Sequence, residues 1–269
     1  GFAYSDDIFF DWPAPKPSGF PRVCQAWNGI QNRPNLTELE RIAHHDLWFT
    51  ADLGLVWEIS EDQPYRGLST TLTDINGDPT LTAAKEKKAA LLRLNPHIKT
   101  ILSVLYREAA FVGAEEGLDP WEHGHFPPNS PYWIRDADGA PVPGWGEDAD
   151  KDGVLEVEEI LSSVTDFRRP EVIELIGQKA LALAESGIVD GIFLDWWNEH
   201  EQTASSYIDK STYYMTAEEE IEARLAILRR IRELVGDDFL VLVNPNQRTA
   251  PRSAPYVNGI FMEVWKPDY

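Results

Sequence analysis

The stretch at residues 186–199, S-G-I-V-D-G-I-F-L-D-W-W-N-E, constrains this chain more than any other. Gly187 closes a helical pattern, residues 188–194 form a β-branched and aromatic run, and Asp195 stands where that run stops. A largely apolar run of this length, interrupted only by Asp190 and Gly191, predicts a strand buried on both faces, in a sheet covered by helices. In such sheets ligands bind and chemistry is done at the C-terminal edge of the strands. A lone Asp after a strand is as readily a turn or cap residue. Trp196, Trp197, Asn198 and Glu199 follow at once, a density of flat and polar groups that a cap does not require. Residues 259–264, G-I-F-M-E-V, repeat the arrangement, with Glu263 beside Trp265.

The rest of the chain alternates strand and helix patterns, which predicts a parallel sheet with right-handed crossovers. Strands are expected at residues 22–27, from 46, at 99–106, 188–194, 239–243 and 259–264. Helices are expected at 35–43, 81–94, 170–186 and 216–235, with Thr37 and the T-A-E-E at 216–219 as capping signals. The expected fold is an α/β (β/α)8 TIM-type barrel forming a single catalytic domain over 1–269. Residues 1–21 form an irregular arm, 54–79 an excursion that holds a small hairpin, and 110–165 an inserted loop region. Six β/α units are visible where a closed barrel has eight, so either the chain is a fragment of a longer barrel, which is the favoured expectation, or a piece such as residues 7–10 pairs into the sheet. A doubly wound open sheet is the alternative, but W-N-G-I-Q-N after the first strand lacks a dinucleotide-type glycine loop.

A length of 269 residues with 43% hydrophobic content is ample for one large core. The net charge of -21 argues against nucleic acid and anionic membranes as partners. Cys24 is the only cysteine, so no internal disulfide can form. A processed or excised chain is expected from the opening Gly1, and with it a secreted or extracytoplasmic location.

The succession H-D-L-W at 45–48, W-I-R-D-A-D-G at 133–139, V-D-G-I-F-L-D at 189–195 and G-I-F-M-E-V-W at 259–265 resembles the bacterial glycoside hydrolases of TIM-barrel type. These are distant relatives of the endo-α-1,4-polygalactosaminidase and α-galactosidase barrels. The resemblance implies a nucleophilic carboxylate ending strand four and an acid/base carboxylate ending strand six. Asp195 and Glu263 occupy those positions. The tryptophan pair directly after Asp195 departs from the family pattern, as does the apparent lack of strands seven and eight.

Chemistry supports the pairing on its own terms. Glycoside cleavage passes through an oxocarbenium-like state, with one carboxylate at the ring face and another protonating the leaving oxygen. A separation of about 5 to 5.5 Å favours retention and about 6.5 to 9.5 Å inversion. Retention is the expected outcome. Trp27, Trp57, Trp196, Trp197 and Trp265 are candidate planes for sugar stacking, each weighed against an ordinary place in the core. Arg107 is a candidate to hold an acidic sugar or the nucleophile, or else to pair with Glu108. Asn244 and Asn246 are candidates for sugar hydroxyls, or else turn residues around Pro245. Glu199 is a candidate third acid. The function these residues point to is hydrolysis of an oligo- or polysaccharide. A non-catalytic carbohydrate-binding or scaffold barrel is the alternative, and a metal-dependent hydrolase using Asp195, Glu199 and Glu263 is a third. No H-x-x-x-H pattern calls for catalytic zinc.

Residues 148–159, D-A-D-K-D-G-V-L-E-V-E-E, match the twelve-residue calcium loop at its diagnostic positions. Asp148, Asp150 and Asp152 are expected to give side-chain oxygens, Val154 its carbonyl and Glu159 both carboxylate oxygens to a structural Ca2+. The alternative is a solvated acidic turn. Since P-V-P-G-W-G replaces an entering helix, the expected role is a staple in the insertion.

Overall fold

The computed structural model describes residues 24–25, 35–49, 53–58, 70–111, 124–246 and 248–263. In chain order the elements are β1 (Cys24–Gln25), α1 (Glu38–Ala43), β2 (Leu47–Phe49), β3 (Leu55–Trp57) and β4 (Leu72–Asp74). Next come α2 (Thr82–Leu94), β5 (Lys99–Ser103), β6 (Glu108–Phe111), β7 (Gly124–Phe126), β8 (Pro143–Gly146) and β9 (Ile160–Val164). The chain continues as α3 (Pro170–Ser186), β10 (Gly191–Leu194), α4 (Ala217–Val235), β11 (Leu240–Val243) and β12 (Gly259–Ile260). The expected arm at 1–21 lies outside the described residues.

Six strands form one sheet in the order β1-β2-β5-β10-β11-β12, and every neighbouring pair is parallel. Each new strand therefore adds on the same side of the last. A doubly wound sheet requires the order to reverse at a switch point, and none occurs. The result is a parallel half-barrel. Closure into eight strands is not seen among the described residues.

Strand alternation sorts the side chains into two layers. Trp48, Leu102, Ile192, Leu194, Val241 and Val243 belong to the main core on the helix side. Phe49, Ile101 and Phe193 form a separate inner cluster, with Leu240, Leu242 and Phe261 packed against it. The Phe49 and Phe193 rings stack at 4.5 Å, an arrangement that adds about 0.5 to 1.5 kcal/mol to their burial. Gly191 is required here, because a Cβ would stand 2.3 Å from the Leu240 carbonyl oxygen on the adjacent strand.

The helices start and stop where their termini are satisfied. Thr37 and Thr216 each accept from the backbone three residues on, and Glu40 and Glu219 reciprocate. Gly187 ends α3 with φ of +65°, a conformation open to a residue without Cβ. The core-facing stripes of the long helices are not wholly apolar. On α2, Lys88 replaces an apolar residue and donates to Thr100 and to Asp190, just before β10. On α3, Lys179 is 1% exposed and sits over the Trp57 ring at 4.7 Å.

Burial pushes the Lys179 ammonium down to about 7, against about 10.4 for an unfolded lysine. The unfolded chain thus binds the extra proton between those values, so stability should rise with pH across that window. Lys179→Met should raise the melting temperature near neutrality and flatten that rise. Thermal melts from about pH 7 to 10 check it; an unchanged slope in the variant would contradict it.

The third expected strand stops early. β5 ends at Ser103, and the chain bends at Tyr106 and Arg107 before Glu108 opens β6. Within the insertion, the described residues build a second sheet in the order β7-β6-β9-β8. β9 pairs antiparallel with both β6 and β8. β3 and β4 form the small antiparallel hairpin expected in the excursion. The fourth expected strand is shortened to β10, and the sixth enters the ladder only at Gly259 and Ile260.

Candidate active site

Asp195 lies two residues beyond Phe193, Asn244 two beyond Leu242 and Glu263 two beyond Phe261. The period of a strand therefore turns all three toward the inner face. They meet at the C-terminal edge of adjacent strands. One amide nitrogen, Asn244 Nδ2, donates to Asp195 Oδ1 at 2.8 Å and to Glu263 Oε2 at 3.0 Å. The amide's direction is determined from its other end, since Asn244 Oδ1 accepts from the Asn246 backbone N–H at 2.9 Å. Two oxygens so close to one nitrogen lie at most about 6 Å apart.

Asp195 is partly buried, and burial raises its carboxyl to about 6. The Trp196 backbone N–H and the Asn244 amide oppose the shift, while the charges of Glu263 and Glu108 add to it. Glu108 is buried as well. Burial raises its carboxyl, against the pull of Arg107 and a 2.9 Å hydrogen bond from Ser162.

Several expected site residues stand elsewhere. Trp197 is fully buried, its indole N–H donates to Ser253 Oγ at 2.8 Å, and its ring packs edge-on against Tyr106. It offers no face to a ligand. Trp57 is likewise buried, under Lys179. Arg107 is 2% exposed and donates to the carbonyls of Thr203, Gly144 and Ser205 and to Glu108. Its fork is committed to protein partners, so it is the structural alternative, not a sugar ligand. Asn244 is a bridge between carboxylates rather than a hydroxyl ligand. Glu199 accepts from the backbone N–H groups of Arg252 and Ser253 and from the Ser253 hydroxyl. It anchors the segment after β11 and joins neither a third-acid nor a metal arrangement with Asp195.

Trp196 is partly exposed and remains available. The Arg107 guanidinium covers one face of its ring at 4.6 Å, leaving at most the other to a sugar. Asn246 is partly buried with φ of +54°. Trp27 and Trp265 lie outside the described residues.

In the insertion, carboxylate oxygens of Asp148, Asp150 and Asp152 all lie within 4.8 Å of one another. Oxygens bound to one calcium at about 2.3 to 2.6 Å fall within that span, so these three fit the ion. Gly153 makes the sharp turn at φ of +90°. Val154 is exposed and its N–H donates to Asp152. Glu159 does not join them: its two oxygens accept from the backbone N–H groups of Ala149 and Glu156. The bond to Glu156 is half of a capping box, in which the Glu156 side chain accepts in turn from the Glu159 backbone N–H.

No protein-family model matches the chain, and no curated protein matches it. Among solved structures, an α-galactosidase from Thermus thermophilus is 14% identical with a TM-score of 0.44, covering 91% of this chain and 42% of its own. An α-N-acetylgalactosaminidase from Bifidobacterium bifidum is 15% identical with a TM-score of 0.44, covering 81% and 28%. The chitinase domain of the spore coat protein CotE from Clostridium difficile is 15% identical with a TM-score of 0.41, covering 90% and 49%. This chain spans less than half the length of each. Likenesses at this level assign neither family nor activity.

Proposed function

We propose that this chain carries the reacting carboxylates of a glycoside hydrolase acting on an oligo- or polysaccharide. Asp195 serves as nucleophile or base and Glu263 as proton donor. The observation that carries the reading is the Asn244 amide shared by the two carboxylates, which sets them across one small space at the strand ends. A spacing of at most about 6 Å leaves too little room for a water between them, and so supports retention over inversion. The Ser103 hydroxyl adds to this reading. In register with Phe193, it is buried on the inner face without a hydrogen-bond partner among the described residues, ready for water or a sugar hydroxyl. Proton NMR of a glycoside digest tests the proposal: the first-formed product should keep the substrate's anomeric configuration. Inversion would overturn the assigned mechanism, and no cleavage across a broad glycan panel would favour a binding barrel.

We also propose that Asp148, Asp150 and Asp152 hold a calcium ion, which draws Val154 and Glu159 in to complete its six to eight oxygens. Three carboxylates this close repel one another without a cation. A chelator should lower the melting temperature, and added calcium should restore it by mass action. A melting temperature indifferent to both would leave the loop a solvated turn.

A further inference from the structure

Trp196 follows Asp195 directly and has φ of +54°. That left-handed conformation is disfavoured for a residue with a bulky side chain, so the surroundings must impose it. The peptide joining Trp196 to Trp197 is held at both polar ends. Its carbonyl accepts from the Tyr106 hydroxyl at 2.7 Å, and its N–H donates to the Asn244 carbonyl at 2.9 Å. The preceding peptide is thereby turned so that the Trp196 N–H donates to Asp195 Oδ1 at 2.8 Å.

Tyr106 is itself set from behind. It is 1% exposed, packs edge-on against Phe167 and Trp197, and accepts at its hydroxyl from Arg224 Nε at 2.8 Å. Burial pushes the phenol up to about 12, so the hydroxyl keeps its proton and donates at any working pH. Arg224, also 1% exposed, sends its remaining donors to the Asn198 carbonyl, Thr203 Oγ1 and Glu220, each at 2.7 Å. Glu220 is fully buried and accepts from the Thr203 and Ala204 backbone N–H groups. Most of these bonds end on the segment that follows Asp195. A buried ion pair is weak evidence for stability, because an apolar core of the same shape does as well. This one is spent on where a loop lies.

We propose that Tyr106 and Arg224 are positioning residues that hold the Trp196 peptide in its left-handed turn and so aim the Asp195 carboxylate. Neither touches the carboxylate; both act through the peptide. The proposal deepens the reading of Asp195 as a reacting group and rests on it.

The test is the titration of Asp195 itself, followed by carbon-13 NMR of aspartate carboxyls and assigned by its loss in Asp195→Asn. Tyr106→Phe removes one hydroxyl and should loosen the Trp196 N–H from Asp195, moving that titration upward by about half a unit or more. Ile227→Val, in the same core but away from the turn, serves as a control for mere loss of stability and should leave the titration in place. Arg224→Lys keeps a charge beside Glu220 but not the fork, and should shift Asp195 in the same direction. A titration that coincides with the native one in either folded variant would overturn the proposal. Should neither fold, hydrogen exchange in the native protein decides. Protection of the Trp197 amide comparable to β10 is expected, and exchange at the rate of an open loop would overturn it. The readout needs no substrate, so a failure of glycoside cleavage leaves it standing as a separate result.

Discussion

Asp195→Asn should lower glycoside turnover by about 10² to 10⁴ while leaving the fold and the melting temperature intact. The asparagine carbonyl can still accept from Trp196 and Asn244, so the local hydrogen bonds survive and only the charge is lost. Glu263→Gln should show a comparable loss on substrates with poor leaving groups, and a smaller one where the leaving group departs without a proton. The native pH profile carries a sign that separates the roles. With its carboxyl raised to about 6, Asp195 must shed its proton to act as nucleophile or base, so activity should rise with pH through that region. A proton-donor role for Asp195 would make activity fall there instead. Burial is the main cause of the raised value, and the charge of Glu263 adds to it. Steady-state rates from about pH 4 to 8 measure the limb.

The largest effect on stability is expected from Arg224→Met. Glu220 would be left at zero exposure with its guanidinium partner gone, and breaking a buried pair in this way costs about 3 to 5 kcal/mol. Against a total stability of about 5 to 15 kcal/mol that is a large fraction. The melting temperature should fall by on the order of 10 °C. Combining it with Glu220→Gln removes the unpartnered carboxyl group, so the double variant should melt above the single one. A double variant that melts at the sum of two independent losses would show that the pair is not coupled. Thermal denaturation of the four proteins completes the cycle.

Much of the half-barrel is legible in the sequence because its signals are local. Capping boxes at Thr37 and Thr216, the αL glycine at 187 and the apolar run before Asp195 each act within a few residues. The places of Asp195 and Glu263 at strand ends are legible for the same reason, since each closes a local apolar run. What escapes is decided between elements. Trp196 and Trp197 are adjacent and chemically alike, yet one is buried against Tyr106 and Ser253 and the other is partly exposed. Only the turn at Trp196 tells them apart. The shared Asn244 amide depends on the register of β10 with β11, which no single segment encodes. The sheet of the insertion pairs Glu108 with Val164 across more than fifty residues, beyond any local pattern. One signal could have been found: Glu220, Arg224, Ile227 and Ile231 recur at helical spacing, which puts two charges into an apolar stripe. Charges in such a stripe announce a buried network.

The central claim is that Asp195 and Glu263 work as one catalytic pair, and covalent trapping tests it most directly. A fluorinated glycoside whose enzyme-bound intermediate hydrolyses slowly should add one sugar mass to the native protein. Peptide mapping should place that sugar on Asp195, and Asp195→Asn should acquire none. A sugar mapped to another residue, or acquired equally by Asp195→Asn, would contradict the account.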